Sequence, residues 1–144
     1  MAWVHRWTLA QATFPSKPLR IVVPFGAGGL ADLTARAVGQ RLSERLQQPV
    51  VIENRPGAGG AVAGEWVARA EPDGHTLLLM SNATAVSASL FKTLPFNPRS
   101  DFAPVSLLGV FDMAVVVPEH SPHKTLADLI AWGRAHPGQM NIAT

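Results

Sequence analysis

The sequence contains no cysteine and has few charged residues. Without cysteine, the chain has no disulfide scaffold, no thiolate zinc site and no cysteine nucleophile. Charged residues make up 15% of the 144 positions, whereas globular domains usually have about 25%. Apolar residues make up 47%, which argues against intrinsic disorder. The length suits one ordinary domain with a real core.

Charge clusters and long apolar runs are absent as well. The chain has 12 Lys and Arg against 10 Asp and Glu, with no basic run, so nothing indicates a nucleic-acid groove. The longest uncharged stretch, residues 76–91, is too short and too rich in Ser, Asn and Thr to span a membrane. We therefore predict no nucleic-acid partner and no membrane insertion.

Catalytic and metal-binding motifs are scarce. G-x-S-x-G, H-E-x-x-H and G-x-x-x-x-G-K-[ST] do not occur. S-x-x-K occurs at Ser89 and at Ser121, but without the motifs that accompany it in serine acyl-transfer enzymes. His120 and His123 have no third ligand in view, which favours an exposed loop over a metal site. From these motifs we name no catalytic residue and no metal ligand, and we predict no cofactor.

Apolar periodicity predicts an α/β fold with a mainly parallel sheet and flanking helices, because short apolar runs alternate with helical patterns. Asp32 lies in the first turn of the first helix, where it opposes the helix dipole. The predicted strands are residues 19–24, 50–54, 76–80, 102–110, 113–117 and the beginning of another at 140–143. The predicted helices are residues 30–46, 61–70, 83–91 with a cap at Ser81 and Asn82, and a helix from the Thr125/Asp128 capping box to Pro137, with Leu126, Leu129 and Ile130 buried.

Three turns should gather at the carboxyl edge of this sheet, where open α/β folds bind ligands. We name them loop 1 (residues 25–30), loop 2 (residues 55–60) and loop 3 (residues 81–84). Each precedes a helix, so each offers backbone N–H groups and a positive dipole end to an anion. Ordinary turns and caps would produce the same pattern. The candidate ligand-binding residues are Phe25, Gly26, Ala27, Gly28, Gly29, Ser81, Asn82, Ala83 and Thr84.

A dinucleotide site is the alternative for the same edge. Gly26-x-Gly28-x-x-Ala31 fits the fingerprint G-x-G-x-x-G/A, and Glu53 stands near the position of a ribose-binding acid. This interpretation predicts a fragment of a Rossmann-type oxidoreductase. Pro24 and Phe25 inside the turn, and the equally glycine-rich loop 2, weaken it.

An ordered series of motifs resembles the tripartite tricarboxylate transporter substrate-binding proteins, the Bug-type extracytoplasmic receptors. The likeness covers most of the chain, from residue 14 onward. The matching motifs are FPSKPLRIVVPF (residues 14–25) with Gly28-Gly29-x-x-Asp32, ENRPGAGG (53–60), PDGHTLL (72–78), LPFNP (94–98) with DFAPV (101–105), and HPG (136–138).

The resemblance implies a non-catalytic receptor of the type II periplasmic-binding-protein class. Its two α/β lobes would close like a clamshell on a small organic carboxylate and deliver it to a membrane permease. Loops 1 and 3 would hold the carboxylate with backbone amides and ordered water. The resemblance also implies that residues 14–108 form an incomplete first lobe and that residues 109–144 form the first β-α-β unit of the second.

Further expectations concern the N-terminal residues and two apolar runs. Residues 1–13 have the form of a degenerate export signal or of a disordered start; the missing apolar region argues against export, whereas the resemblance implies a periplasmic location. The apolar runs 103–108 and 113–117 would lack neighbouring strands, so we expect self-association through exposed apolar surface. A non-binding truncated remnant is the remaining alternative.

Overall fold

A computed structural model of the chain describes residues 14–112 and 114–141. The chain divides into two units after Ser106, and each is described by itself. In the described part, no helix is both long enough and apolar enough to cross a membrane. The predicted signal or disordered start, residues 1–13, lies outside the described residues.

The first unit contains a parallel sheet whose middle strand is the first in the sequence. Its strands are β1 (Leu19–Val23), β2 (Val50–Asn54) and β3 (Thr76–Leu78), in the order β2-β1-β3. In the parallel register, Val23 lies opposite Asn54 and Val22 lies opposite Leu78. The predicted α/β class with a parallel sheet is therefore confirmed.

The first helix, α1 (Leu30–Leu46), covers one face of this sheet. Its Ala35 packs with Ile21 and Val23 of β1 to form the buried core. The helix ends at Leu46; the next residue, Gln47, adopts a left-handed conformation with φ of 53°, and Pro49 follows. The bounds agree with the prediction, because an apolar helical period is bracketed by glycine and proline.

Two further helices follow β2 and β3. Helix α2 (Ala61–Ala68) comes after a single 3-10 turn, Ala58–Gly60, and α3 is Asn82–Leu90. The phenyl ring of Phe96 packs directly on Gly64 of α2, where an added Cβ would lie 2.3 Å from Cζ. Phe96 also contacts Phe102 edge to face, with ring centroids 5.5 Å apart.

Several predicted element ends were wrong. The third strand ends at Leu78 and not at residue 80, and α2 ends at Ala68 and not at residue 70. The predicted strands at residues 102–110 and 113–117 do not form in the part that the structure describes, which excludes Met113. An apolar run becomes a strand only where another strand accepts its hydrogen bonds, and these runs pair with none of the described strands.

The second unit contains helix α4 (Leu126–Ala135). Its predicted capping box is confirmed: the Asp128 N–H donates to Thr125 Oγ1 and the Thr125 N–H donates to Asp128 Oδ2, both at 3.1 Å. The predicted buried stripe was wrong, because Leu126 and Ile130 are exposed and Leu129 is only half-buried. Within this unit, no described segment covers that face. The last predicted strand has only residues 140 and 141 described, and neither is in a strand.

Candidate functional site

Loops 1, 2 and 3 leave the sheet at the same edge, because its three strands are parallel. Backbone hydrogen bonds continue the pairing one residue beyond β2 and β3: the Arg55 N–H donates to Val23 O at 2.8 Å, and the Leu79 N–H donates to Val22 O at 2.9 Å. β1 therefore carries loop 1 between loop 2 on one side and loop 3 on the other. This is the edge at which open α/β sheets bind their ligands.

The end of loop 2 contacts loop 3 and the residue before loop 1. Gly60 has φ of +91°, and a Cβ added there would lie 3.0 Å from Thr84 Oγ1 and 3.3 Å from the Cβ of Pro24. Only glycine takes this conformation readily and allows such a close approach. Gly60 thus lies against both Pro24 and Thr84.

Two hydroxyl groups of loop 3 are buried without a partner. Ser81 Oγ and Thr84 Oγ1 make no hydrogen bond to any described residue, and Thr84 is completely buried. Leaving a buried polar atom unpaired costs about 1–3 kcal/mol, so such atoms call for an explanation. The only other described atom of this kind, His75 Nδ1, lies 3.3 Å from Asp73 Oδ1 at the opposite end of the sheet.

The cap of α3 differs from the prediction. Ser81 occupies the N-cap position but makes no side-chain cap bond. Asn82 Oδ1 instead accepts from the Ala83 N–H at 2.9 Å, so that amide is already engaged within the chain. The N–H of Ala83, which was predicted to face a ligand, donates to this neighbouring side chain in the structure.

Loop 1 is held at its beginning by a side chain of β2 and in its middle by a side chain of α1. The Gly28 N–H donates to Asp32 Oδ2 at 2.8 Å, and Asn54 Nδ2 donates to Phe25 O at 3.0 Å. The same Asn54 amide donates to Asp32 Oδ1 at 2.9 Å. The predicted ligand-facing N–H of Gly28 is therefore occupied by Asp32.

Asp32 is a buried anion, with 2% of its surface exposed. Its Oδ2 also accepts from Arg36 Nε at 2.9 Å, and Arg36 reaches Asn54 Oδ1 at 3.1 Å. The hydrogen bond from Arg36, followed by those from the Gly28 N–H and Asn54, holds the pKa of Asp32 well below its usual range. The sequence indicated only a helix-dipole role for Asp32; its bond to Asn54 spans 22 positions, and no local pattern could reveal it.

The remaining part of loop 1 is open to solvent. Gly26, Ala27, Gly28 and Gly29 are exposed, whereas Phe25 is half-buried against the core. An added Cβ at Gly26 or Gly28 would meet nothing within 4 Å. The loop therefore leaves room beside its backbone for a small molecule.

The geometry does not fit the dinucleotide alternative. Glu53 binds Arg20 through an ion pair at 3.3 Å and accepts from Arg55 Nε at 2.6 Å, so its carboxylate is already paired. The guanidinium of Arg55 in turn lies 4.3 Å from the ring centre of Trp66. At the start of α1, where a pyrophosphate would bind, the carboxylate of Asp32 already takes the Gly28 N–H.

Comparison with known proteins gives the family. Residues 34–144 match the family described as "Tripartite tricarboxylate transporter family receptor". A UPF0065 protein of Bordetella pertussis is 41% identical over 133 residues, which cover 92% of this chain and 41% of that relative. Protein BugT of the same species is 38% identical over 133 residues, covering 91% of this chain and 41% of BugT. The chain thus spans less than half the length of these relatives.

Solved structures agree with this result. MatC from Rhodopseudomonas palustris, determined with bound malate, has a TM-score of 0.72 and 35% identity, covering 85% of this chain and 42% of MatC. A second R. palustris protein, determined with adipate, has a TM-score of 0.63 and 29% identity, covering 88% of this chain and 43% of that protein. Their fold and the family match together lead to one conclusion: the chain belongs to the tripartite tricarboxylate transporter receptor family.

Proposed function

We propose that this chain forms the first-lobe wall of a solute receptor that binds a small organic carboxylate without catalysis. The observation that carries the proposal is the pair of unpartnered hydroxyls, Ser81 Oγ and Thr84 Oγ1, at the start of α3. The family match and the two relatives that hold malate and adipate support a dicarboxylate as the ligand class.

The chemistry of loop 3 suits an anion. A hydroxyl donates one hydrogen bond to a carboxylate oxygen, and because Ser81 Oγ and Thr84 Oγ1 are buried, each would reach a ligand only after its side chain rotates toward the open edge. The positive end of the α3 dipole adds to this attraction. Each hydrogen bond to a charged group contributes about 1.5–3 kcal/mol. In loop 1, the exposed backbone of Gly26, Ala27 and Gly29 would provide the remaining contacts, since the N–H of Gly28 is engaged.

We expect this wall alone to bind weakly. Small-molecule sites usually bury most of their ligand, whereas residues 26–29 lie exposed on an open edge. Amides that remain in contact with water gain little from exchanging it for a carboxylate. Micromolar affinity of the 144-residue chain would therefore contradict the requirement for a second lobe.

The test is an NMR titration of the chain with malate and with adipate. Binding should shift the amide signals of loops 1 and 3, and the uncharged diamide of malate should not. Thr84→Val, which keeps the shape and removes the hydroxyl, should weaken malate binding about tenfold or more. Ser89→Ala, which changes an exposed hydroxyl on the same helix, should have no effect.

Three outcomes would contradict the proposal. Equal shifts with malate and its diamide would remove the role of the carboxylate. Shifts at loop 1 with NAD or NADP, lost on Glu53→Ala, would favour the dinucleotide alternative instead. No shift with any of these solutes would favour the non-binding remnant.

The partner and location follow from the same proposal. The receptor would deliver its solute to the membrane permease of a tripartite transporter from the periplasm; two of the similar solved structures are described as periplasmic proteins. Self-association of the chain through its exposed apolar residues is a further part of the proposal, and its test is given in the Discussion.

A further inference from the structure

Packing holds little of loop 1. Residues 26–29 are exposed, and added Cβ atoms at Gly26 and Gly28 would have no neighbours within 4 Å. A glycine-rich segment has unusually many backbone conformations to lose on ordering. Side-chain hydrogen bonds must therefore supply most of what keeps this loop in one conformation.

Those bonds converge on a single carboxylate. Asp32 Oδ2 accepts from the Gly28 N–H at 2.8 Å, in the middle of the loop. Asp32 Oδ1 accepts at 2.9 Å from Asn54 Nδ2, which itself holds Phe25 O at the beginning of the loop. Arg36 donates to both side chains: its Nε donates to Asp32 Oδ2, and its Nη2 donates to Asn54 Oδ1.

We propose that Asp32 is the positioning residue of the binding edge, acting through Gly28 and Asn54 to hold loop 1 in its ligand-binding conformation. This inference rests on the proposed function, because it concerns the loop that would contact the carboxylate. Asp32 would not touch the ligand. Its effect on affinity follows from the fraction of molecules in which the loop is ordered, since the apparent dissociation constant rises as that fraction falls.

The chain offers a matched control in Asp101. Asp101 Oδ2 also accepts a backbone N–H from the residue four positions earlier, Asn97, at 2.7 Å. The same type of bond is therefore present in the same unit without any link to loop 1. Comparing Asp32→Ala with Asp101→Ala separates positioning of the loop from a general loss of one carboxylate.

The experiment is amide hydrogen exchange and malate titration by NMR on the 144-residue chain. In Asp32→Ala, we expect the protection of the Gly28 amide to fall at least about tenfold, and the dissociation constant for malate to rise by a similar factor. Asp32→Asn, which keeps a neutral acceptor oxygen, should lie between wild type and Asp32→Ala, and it is the fallback if Asp32→Ala does not fold. Asp101→Ala should change neither quantity.

The two proposals fail in different ways. Unchanged Gly28 protection in the Asp32 variants overturns the positioning role whatever happens with malate, and so does an equal loss of malate affinity in Asp101→Ala. If wild type does not respond to malate, the proposed function fails, while Gly28 exchange still decides whether Asp32 orders the loop. Normal malate affinity in Asp32→Ala would overturn the inference and leave the proposed function standing.

Discussion

Gly60 and Thr84 are in such close contact that a single added carbon on Gly60 would lie 3.0 Å from Thr84 Oγ1. The two residues belong to different loops at the carboxyl edge of the sheet, and Pro24 lies against the same point. The buried, unpartnered hydroxyl of Thr84 therefore lies directly beside Gly60. Any side chain at residue 60 would change the environment of this hydroxyl directly.

Gly60→Ala should destabilise the first unit by about 1–3 kcal/mol. Alanine would be strained at φ of +91°, and its Cβ would press on Thr84 and Pro24. Urea unfolding would measure the change. Gly26→Ala is the control, because Gly26 has no positive φ and its Cβ would meet nothing within 4 Å; an equal loss in both variants would contradict the contact.

Gly64→Ala should cost about 1–3 kcal/mol by overpacking. The new Cβ would lie 2.3 Å from Phe96 Cζ, and Phe96 is buried. Replacing the ring in Phe96→Leu should partly relieve this clash, so the double variant should be more stable than the sum of the two single changes predicts. Strict additivity in urea unfolding would show that the two residues do not touch.

Much of this fold could be predicted from local patterns. The bounds of α1 follow from an apolar helical period that begins after Gly29 and ends before Pro49. The capping box of Thr125 and Asp128 lies within four residues. The shared edge of loops 1, 2 and 3 follows from the parallel order of the strands alone, and the structure has that order.

What could not be predicted depends on partners distant in sequence. No periodicity links Asn54 to Asp32, yet this pair determines which N–H groups of loop 1 are free. In the sequence, Phe96 stands in a proline-rich turn. Only the structure shows that its ring packs on Gly64, which is 32 positions earlier in the chain. The apolar run 102–110 has the composition of a strand, but its backbone finds no strand to pair with among the described residues.

The unfolding free energy should fall as the pH decreases from about 4 to 2, partly because of Asp73. Lys17 Nζ lies 2.7 Å from Asp73 Oδ2, and the His75 N–H donates to Oδ1 at 2.9 Å. The side-chain bond from Lys17 and the backbone N–H lower the pKa of Asp73 to about 2. An unfolded aspartate has a pKa near 3.9, so the stabilisation is complete above that value and is lost as the pH falls through the folded-state pKa.

Two variants test the origin of this acid sensitivity. Asp73→Asn should flatten the pH dependence measured by urea unfolding between pH 4 and 2, since no proton is taken up at that position. Lys17→Met should flatten it as well, because it removes the first cause of the low pKa of Asp73. A pH profile for Asp73→Asn that runs parallel to that of wild type would contradict the assignment.

The 144-residue chain should self-associate through the second unit. Leu107, Val110 and Val116 are 78%, 84% and 85% exposed, and clustered exposure of large apolar side chains in one short segment promotes association. Sedimentation velocity should give an average mass that increases with protein concentration, and Val110→Lys combined with Val116→Lys should reduce that increase.

Leu90→Lys is the matched control, because Leu90 is an exposed apolar residue of α3 in the first unit, at 72%, and its replacement should leave association unchanged. A monomer at all concentrations, or equal effects of the two sets of changes, would show that residues 107–116 do not drive contact between copies of the chain.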